Sequence, residues 1–354
     1  MPKCFLAFVV ALAAVGLSIA QGAPAASQPR PRDAHDILEA AAPYYDFHSA
    51  DQKPWHFKAT YQLYDEKGEP SEQGTYEYWW ASPKVYRSSW TRPHATHTEW
   101  HTADGAYERS DSGAALNFFE KRLESMLLAP LAGLHNIDPA LFKLELKQMA
   151  AGGVQFSCIA EIPLRQRDGS AQSLPESLAQ SFCFDPQSPI LWAIHSHGIV
   201  TAAFSSIVKM QGKYLPREVV VTGGRQKILS VSVIQVSGLS PSDPALIPSA
   251  GARLAQDQNT QSVAGLSGGW IIKRVPPVYP RMAWSGHDEG TVLLQGTIGV
   301  DGLVHDPEVI LAPSRALAES ALDAVSQWVY KPFSLNGKPI EKESVFNVRY
   351  SFTK

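Results

Sequence analysis

Residues 55–65, WHFKATYQLYD, alternate between apolar and polar side chains with a period of two. That period predicts a β-strand with one buried face. Strand-like runs of this kind recur as far as residue 236, and turn signals such as Asp104-Gly105 separate them. Short strands joined by turns favour antiparallel pairing of neighbours. The pattern therefore predicts a curved antiparallel sheet or half-barrel over residues 37–237.

One stretch within this region has a different period. Residues 116–134, LNFFEKRLESMLLAPLAGL, space their apolar side chains at intervals closer to those of a helix. Pro130 is placed to end such a helix, because proline cannot continue the hydrogen-bond ladder. We therefore expect one helical segment inside the sheet domain.

The alternation stops altogether in residues 238–268. This stretch is rich in Ser, Gly, Pro, Ala and Gln and shows no apolar period. Such a composition is typical of a flexible connection between domains. The sequence therefore predicts an interdomain linker here.

Regular patterns return in residues 269–354. A strand, an Asp301-Gly302 turn and a second strand precede a helix that Ser314 can cap. The closing run SVFNVRYSF is a further strand, with the following side chains on one face: Phe346, Val348, Tyr350 and Phe352. The predicted order is β-β-α-β, so the chain as a whole is expected to be an α+β protein.

The start of the chain predicts export. Residues 4–20 form an apolar run, one lysine precedes it, and Ser18 and Ala20 occupy the small-residue positions before a plausible cleavage site. This is the form of a secretory signal peptide, and the mature protein would begin near Gln21. The alternative is that residues 4–20 remain as an inner-membrane anchor. Either reading predicts a periplasmic location for the rest of the chain.

Charge and motifs narrow the function. The formal net charge is −3 and there is no run of Lys or Arg, which argues against a nucleic-acid partner. No G-x-S-x-G motif occurs in a strand–turn–helix context, and the glycine turns lead into no helix that could cradle phosphate. We therefore expect a binding protein that is not an enzyme and has no cofactor.

Two cysteines remain after the predicted signal segment. Cys158 and Cys183 both lie in strand-like runs of the first domain, and no C-x-x-C motif is present. Because an exported protein folds in an oxidising compartment, we predict a structural disulfide between them. The alternative is two buried free thiols, since free cysteine is a common core residue.

One strand carries residues that suit a metal. In HATHTEWH, residues 94–101, the side chains of His97, Glu99 and His101 fall on one strand face. Imidazole and carboxylate at this spacing can hold zinc in a metal-dependent enzyme. The competing interpretation is a solvated strand face with Trp100 turned inward. No H-E-x-x-H helix accompanies the strand, so we predict that no metal binds.

The last segment also carries a family resemblance. Its features are PPVYP (276–280), Ala283, EGTVLLQGTIGVDGLV (289–304), a helix ending in WVYKPF, and NGKPI (336–340). Their order and spacing resemble the C-terminal domain of the TonB family of energy transducers, over about residues 270–353. The resemblance implies a periplasmic domain that grips short peptide segments of outer-membrane receptors and transmits inner-membrane energy to them. A folded β domain stands where that family has a long Pro/Lys/Glu-rich spacer.

This resemblance and the strand order together predict a docking edge. No later strand follows residues 345–352, so their unpaired backbone groups can accept an extended peptide by β-augmentation. The expected partner is an outer-membrane TonB-dependent receptor or another envelope protein. Prolines keep residues 275–280, the strap, from pairing with that edge. The predicted peptide-binding residues are Val278, Tyr279, Pro280, Val345, Asn347 and Arg349. The alternative is that Tyr279 and Pro280 only pack the strap onto the domain.

The first domain has softer similarities. SPKVYR (82–87), Asp104-Gly105, CFDPQSPIL (183–191) and GKYLPREVVV (212–221) suggest a LolA-like lipoprotein-carrier domain over about residues 37–237. This resemblance implies a half-barrel whose apolar concavity could bury an acyl chain or lipid, so a periplasmic carrier or sensor of such a ligand is the alternative function. Inner aromatic side chains that simply pack against the domain's own helix would explain the same pattern.

Overall fold

The computed structural model describes residues 33–65, 67–111, 116–132, 134, 142–151, 153–163, 180–196, 199–224, 226–255 and 266–352. The predicted signal segment, residues 1–20, lies outside these ranges, and so do residues 256–265 of the predicted linker. No helix within the described ranges has both the length and the apolar character needed to cross a membrane.

Helices are few and short in the described parts of the chain. The α-helices are α1 (Ala34–Ala41), α2 (Leu123–Leu128), α3 (Arg281–Gly286) and α4 (Arg315–Val325). Short 3₁₀ segments cover Ala42–Tyr44, Glu120–Arg122 and Pro244–Leu246. The predicted helix around residues 116–134 is therefore present as a 3₁₀ turn that continues into α2.

Strands make up most of the first domain. They are β1 (Trp55–Tyr64), β2 (Pro70–Ser82), β3 (Val85–Arg92), β4 (Ala95–Thr102), β5 (Gly105–Ser110), β6 (Phe142–Ala151), β7 (Val154–Pro163), β8 (Ser181–Phe184), β9 (Leu191–Ser196), β10 (Val200–Met210), β11 (Lys213–Gly223), β12 (Gln226–Gly238) and β13 (Arg253–Leu254). Within the described ranges they form one sheet in the order β13-β5-β4-β3-β2-β1-β12-β11-β10-β9-β8-β7-β6. Neighbours pair antiparallel, as the sequence predicts.

The predicted alternation of β1 is confirmed, because its odd-numbered residues are buried in turn along the whole strand. These side chains point to the face that α1 and α2 cover, which we call the inner face. Aromatic rings fill it: the Trp55 ring lies 5.4 Å from that of Tyr78 and 6.1 Å from that of Trp80. Leu123 and Leu127 of α2 are at most 1% exposed against this layer. The inner face is thus the core of the domain.

The predicted disulfide is present. Cys158 of β7 and Cys183 of β8 are register partners, their Cα atoms are 4.0 Å apart, and their sulfur atoms are bonded. Both residues are at most 2% exposed. The bond therefore joins adjacent strands near one end of the sheet.

The chain after β12 differs from the predicted flexible linker. Residues 239–255 run back over the other side of the sheet, the outer face. The 3₁₀ segment Pro244–Leu246 buries Leu246 there, and β13 adds to the edge of the sheet beside β5. Leu246 and the backbone of Arg253 and Leu254 supply specific contacts that the Ser/Pro-rich composition does not reveal.

The C-terminal segment holds smaller sheets. Its strands are β14 (Leu266–Ser267), β15 (Ile271–Lys273), β16 (Gly290–Ile298), β17 (Val304–Leu311), β18 (Val329–Tyr330), β19 (Phe333–Leu335), β20 (Lys338–Ile340) and β21 (Lys342–Tyr350). In the described residues β17, β16 and β21 form a sheet in that order, and the short strands form the pairings β14-β19-β20 and β15-β18. We call the sheet β17-β16-β21 the C-terminal sheet.

Local signals in this segment are confirmed. Ser314 caps α4, its hydroxyl accepting a hydrogen bond from the backbone N–H of Leu317. Gly302 has φ of 79° in the predicted Asp301-Gly302 turn, and a side chain there would collide with the carbonyl of Tyr330. The helix buries Leu317, Ala321 and Val325 against one face of the C-terminal sheet.

We expect Phe57→Ala to lower the free energy of unfolding of the first domain by about 3–5 kcal/mol, because a fully buried ring leaves a cavity. Thr60→Ala, on the outer face of the same strand, is the matched control and should change it by about 0.5 kcal/mol or less. Urea unfolding followed by tryptophan fluorescence measures both. Equal effects of the two substitutions would contradict the assignment of the buried face.

Candidate functional site

Strand β21 is an edge of the C-terminal sheet. It pairs with β16 through nine register partners, from Gly290↔Tyr350 to Ile298↔Lys342, and no other described strand pairs with its second side. The backbone N–H and C=O groups on that second side therefore have no ladder partner within the described residues. Such an edge is a template for an added strand.

The two faces of β21 have different surroundings. Phe346, Val348 and Tyr350 are at most 3% exposed and pack towards α4, as the alternation predicts. Val345 and Asn347 point to the opposite face of the sheet, where Val345 is partly buried against the core of the first domain. Of the three residues predicted on this strand to bind peptide, the structure therefore leaves only Arg349 exposed.

That opposite face is covered by the first domain. Leu293 of β16 is 0% exposed and belongs to the same hydrophobic cluster as the inner-face residues, and Leu311 of β17 packs beside it. An ion pair of 3.5 Å joins Lys121 to Glu343 across the same contact. The run Val292-Leu293-Leu294 could have predicted this coverage from the sequence, because consecutive apolar residues in a strand indicate burial on both faces.

The covered face holds polar atoms without partners. The side-chain oxygens Oδ1 of Asn347 and Oε1 of Gln295 are buried and have no hydrogen-bond partner among the described residues. Leaving a buried acceptor unsatisfied costs free energy. The contact between the domains is therefore apolar at Leu293 and imperfect around these two amides.

The strap is held through its carbonyl groups by one side chain of α4 and by one that follows the helix. The indole N–H of Trp328 donates to the carbonyl of Val275 at 2.8 Å, and the Ser320 hydroxyl donates to the carbonyl of Val278 at 2.6 Å. Tyr350 of β21 in turn donates its hydroxyl to Ser320 at 2.9 Å. The strap therefore lies beside the C-terminal end of β21 and does not join the sheet.

The Tyr279 ring packs the strap onto the domain. It lies 5.3 Å from the Trp284 ring, 5.4 Å from that of Tyr350 and 5.3 Å from that of Phe352. Its hydroxyl donates to the carbonyl of Asp288. These contacts favour the packing role for Tyr279, while Val278 next to it is 77% exposed.

Two exposed apolar residues near the strap were missed from the sequence. Met282 and Trp284 of α3 are 82% and 55% exposed, and they extend the apolar surface that begins at Val278. The run Arg-Met-Ala-Trp after the strap is too short for a helical period to show which side chains are outside. Ala283 between them is fully buried.

The structure corrects the expectation for the histidine strand. Trp100 of β4 is buried, at 3% exposed, but on the outer face, where its indole N–H donates to the carbonyl of Ala245 at 3.1 Å. His97 and Glu99 point to the inner face instead, with Nε2 of His97 2.9 Å from Oε1 of Glu99. His101 stacks on Tyr86 with 4.2 Å between ring centroids. The face is therefore partly buried: the His97 side chain is 15% exposed and that of Glu99 is 42% exposed.

These side chains do not form a metal centre in the described parts of the chain, where no group of three or more His, Cys, Asp or Glu is arranged to hold an ion. Nδ1 of His97 is hydrogen-bonded to the Ser110 hydroxyl at 2.5 Å. Burial lowers the pKa of His101, and the nearby charge of Glu99 only partly opposes that shift. The strand contributes structural hydrogen bonds and ring contacts.

Two glutamates fasten the 3₁₀ turn and α2 to the inner face. Glu120, 0% exposed, accepts a 2.5 Å hydrogen bond from the Tyr61 hydroxyl and lies 3.5 Å from Nη1 of Arg92. Glu124 accepts from the Tyr76 hydroxyl at 3.5 Å. Burial, with a contribution from the charge of Glu99, raises the pKa of Glu124 to about 7.

Comparison with known proteins identifies the class of the C-terminal segment. Residues 275–352 match the family model described as Gram-negative bacterial TonB protein C-terminal. The match includes the strap, the C-terminal sheet and α4. The resemblance of about residues 270–353 to this family is therefore confirmed.

Individual relatives agree with the family match. The protein TonB of Pseudomonas aeruginosa is 32% identical over 93 residues, covering 24% of this chain and 27% of that protein. The protein TonB of Vibrio cholerae is 30% identical over 81 residues, covering 23% of this chain and 33% of that protein. The match thus spans about a quarter to a third of the length of these relatives.

The first domain has a more distant structural neighbour. A LolA superfamily protein from Nitrosomonas europaea aligns over 61% of this chain and 98% of its own, with 10% identity and a TM-score of 0.40.

Glu124→Gln should change how the stability of the protein depends on pH. A carboxyl group with a folded pKa of about 7, against an ordinary value of 4.5, binds more protons when folded. Its contribution to stability therefore falls as pH rises from about 4.5 to about 7. We expect the difference between the Tm of the variant and that of the wild type to increase as pH rises from about 4.5 to about 7. Above pH 7 this difference should be constant.

Thermal melts at a series of pH values measure this difference. Glu69→Gln removes an exposed carboxylate from the same domain and is the matched control. A Tm difference for Glu124→Gln that does not vary between pH 4.5 and 7 would show that folding does not raise the pKa of Glu124.

A second prediction concerns the contact between the domains. A side chain at Gly223 of β11 would overlap the side chain of Leu311. We expect Gly223→Val to weaken the contact and to increase the radius of gyration measured by small-angle X-ray scattering. The double variant Gly223→Val/Leu311→Ala should recover the wild-type value, because it removes the overlapping Leu311 methyl groups. The remaining close contact, with Ile228 of β12, lies within the first domain. An unchanged radius in the single variant would contradict the contact.

Proposed function

We propose that this protein is an exported periplasmic binding protein whose C-terminal domain docks extended peptide segments of outer-membrane TonB-dependent receptors, or of another envelope protein, along β21. The role would be that of an adaptor or energy transducer in transport across the outer membrane. The observation that carries the proposal is the exposed edge of β21 inside the segment that matches the TonB C-terminal family.

Backbone pairing would supply most of the recognition. An incoming strand gains hydrogen bonds from the side of β21 that does not pair with β16. These bonds depend little on the side chains of the incoming strand. Arg349 is exposed on this strand and can add a contact to an acidic residue of the peptide. Val345 and Asn347 face the first domain, so they would contribute through their backbone groups and not through their side chains.

The strap would define one end of the docking site. It lies next to Tyr350 and is held by Ser320 and Trp328, so its position does not depend on a bound peptide. Val278, at 77% exposure, offers an apolar contact beyond the last paired residue. Pro280 has no backbone N–H, which prevents the strap from continuing the ladder itself.

The alternative role as a lipid or acyl carrier finds less support in the packing of the first domain. Its inner-face rings are already in contact with α2 and with one another, and Trp55, Tyr76 and Trp80 are at most 1% exposed. An acyl chain would have to displace α2 and break the hydrogen bond between Tyr61 and Glu120.

The proposal is tested by titrating the mature, isotope-labelled protein with a synthetic peptide taken from the amino-terminal segment of a TonB-dependent receptor. We expect saturable backbone amide shifts in residues 342–350 and in the strap. Two further peptides carry N-methyl groups on alternate residues, one on the odd and one on the even positions.

The methylated peptides separate backbone pairing from side-chain contact. In β-augmentation only alternate N–H groups of the added strand point to the edge. One methylated peptide should therefore lose binding while the other, with identical side chains, keeps it. Equal binding by both would exclude strand addition, and absence of any shift with the unmodified peptide would remove the docking function.

A further inference from the structure

A cleft lies on the outer face of the first domain, and the residues that line it are distant in sequence from β21. It has a volume of about 320 Å³ and is formed between strands β3 to β5 and the returning segment after β12. Its lining residues are Arg87, Thr96, Thr98, Trp100, Arg109, Asp111, Pro244, Ala245, Ile247 and Ser249. Two guanidinium groups thus share a small cleft with hydroxyl groups and one carboxylate.

Arg87 forms part of the floor and is short of hydrogen-bond acceptors. Its guanidinium carbon lies 4.1 Å from the centre of the Trp79 ring and 5.4 Å from that of Trp100. Its Nη1 donates to the carbonyl of Ala245 over a long 3.4 Å, and its Nε is buried with no partner among the described residues. A buried guanidinium donor without an acceptor is costly, and an anion in the cleft would add a charged acceptor beside this guanidinium group.

The electrostatic surroundings agree with this shortage. Burial lowers the pKa of Arg87, although the charges of Glu77 and Asp243 oppose that shift. These two carboxylates therefore do not fully offset the loss of hydration around the guanidinium. The flat faces of two tryptophan rings hold the side chain in place, so its donors are oriented before a ligand arrives.

Arg109 stands at the mouth of the cleft. It is exposed, and its Nη2 lies 3.3 Å from Oδ1 of Asp111. Its Nη1 also makes 3.4 Å contacts to the Ser249 hydroxyl and the carbonyl of Ala250. These contacts are long and solvent-exposed, so an entering anion can replace them at little cost.

From this arrangement we propose that the cleft binds a small organic anion, whose carboxylate or phosphate group meets the guanidinium groups of Arg87 and Arg109. The hydroxyls of Thr96 and Ser249 border the space that the remainder of the ligand would fill. The volume is at the lower end of the range for small-molecule sites, about 300–1,000 Å³, which fits a ligand of the size of one sugar ring.

The site has a built-in reporter, because the Trp100 indole N–H donates to Ala245 at its wall. Its resonance in the ¹⁵N-labelled full chain is assigned with Trp100→Phe and followed at constant ionic strength. The ligands are glucuronate, glucose as its uncharged counterpart, and inorganic phosphate. We expect saturable shifts with glucuronate or phosphate and none with glucose. The tighter of the two anions shows which group the site prefers.

Substitutions locate the binding. Arg109→Gln should lower the affinity for the anion by about tenfold, because the variant loses a hydrogen bond to a charged group. Arg87→Gln should abolish saturation, and its thermal melt shows whether the domain remains folded. Arg281→Gln removes an exposed arginine of the other domain and should leave affinity unchanged. Shifts of equal size with glucose, no saturation with either anion, or unaltered affinity in Arg109→Gln would overturn the proposal.

Discussion

Both faces of the C-terminal sheet are covered, and this constraint decides what the domain can present to a partner. Helix α4 covers one face through Leu317, Ala321 and Val325. The first domain covers the other face, where Leu293 is fully buried. Because much of each face is packed in this way, the backbone groups left free for a partner lie along the edges of the sheet. Of those edges, β21 lies beside the strap, which makes it the better-defined docking site.

The first domain is organised by a second constraint, the burial of many aromatic rings together with charged groups. Tyr61 and Tyr76 direct their hydroxyls towards Glu120 and Glu124, so the carboxylates of the 3₁₀ turn and α2 are held by hydrogen bonds from the sheet. Removing Glu120 would take away the 3.5 Å ion pair of the largely buried Arg92, which also lies 3.8 Å from the Glu72 carboxylate. The turn and helix are thereby fixed in position against the inner face.

The sequence predicted those features for which the local pattern has a single explanation. The alternation of β1, the cap at Ser314 and the Asp301-Gly302 turn each depend on neighbours within a few residues, and each is confirmed. Trp100 is buried, but the segment that covers it could not be predicted, because its partner, the carbonyl of Ala245, is 145 residues away in the chain. An alternating strand shows which residues share a face, but it cannot show which face a distant segment will cover.

The candidate docking site likewise has some features that the sequence could predict and others that it could not. The edge position of β21 was predicted from the order of the elements, and the sheet order β17-β16-β21 agrees with it. The burial of Val345 and Asn347 could not be, because it depends on how one domain lies against the other. Tyr279 combines both cases: its proximity to the edge was expected, while its three ring contacts and its bond to Asp288 depend on tertiary structure.

Hydrogen–deuterium exchange of the full chain, with and without an intact TonB-dependent receptor, tests the central claim most directly. The C-terminal sheet carries its own control, because β17 is its opposite edge and belongs to the same domain. If a receptor segment adds to β21, amides of residues 342–350 gain protection while those of residues 304–311 exchange as before. Protection of β17 alone, or equal protection of both edges, would contradict docking along β21.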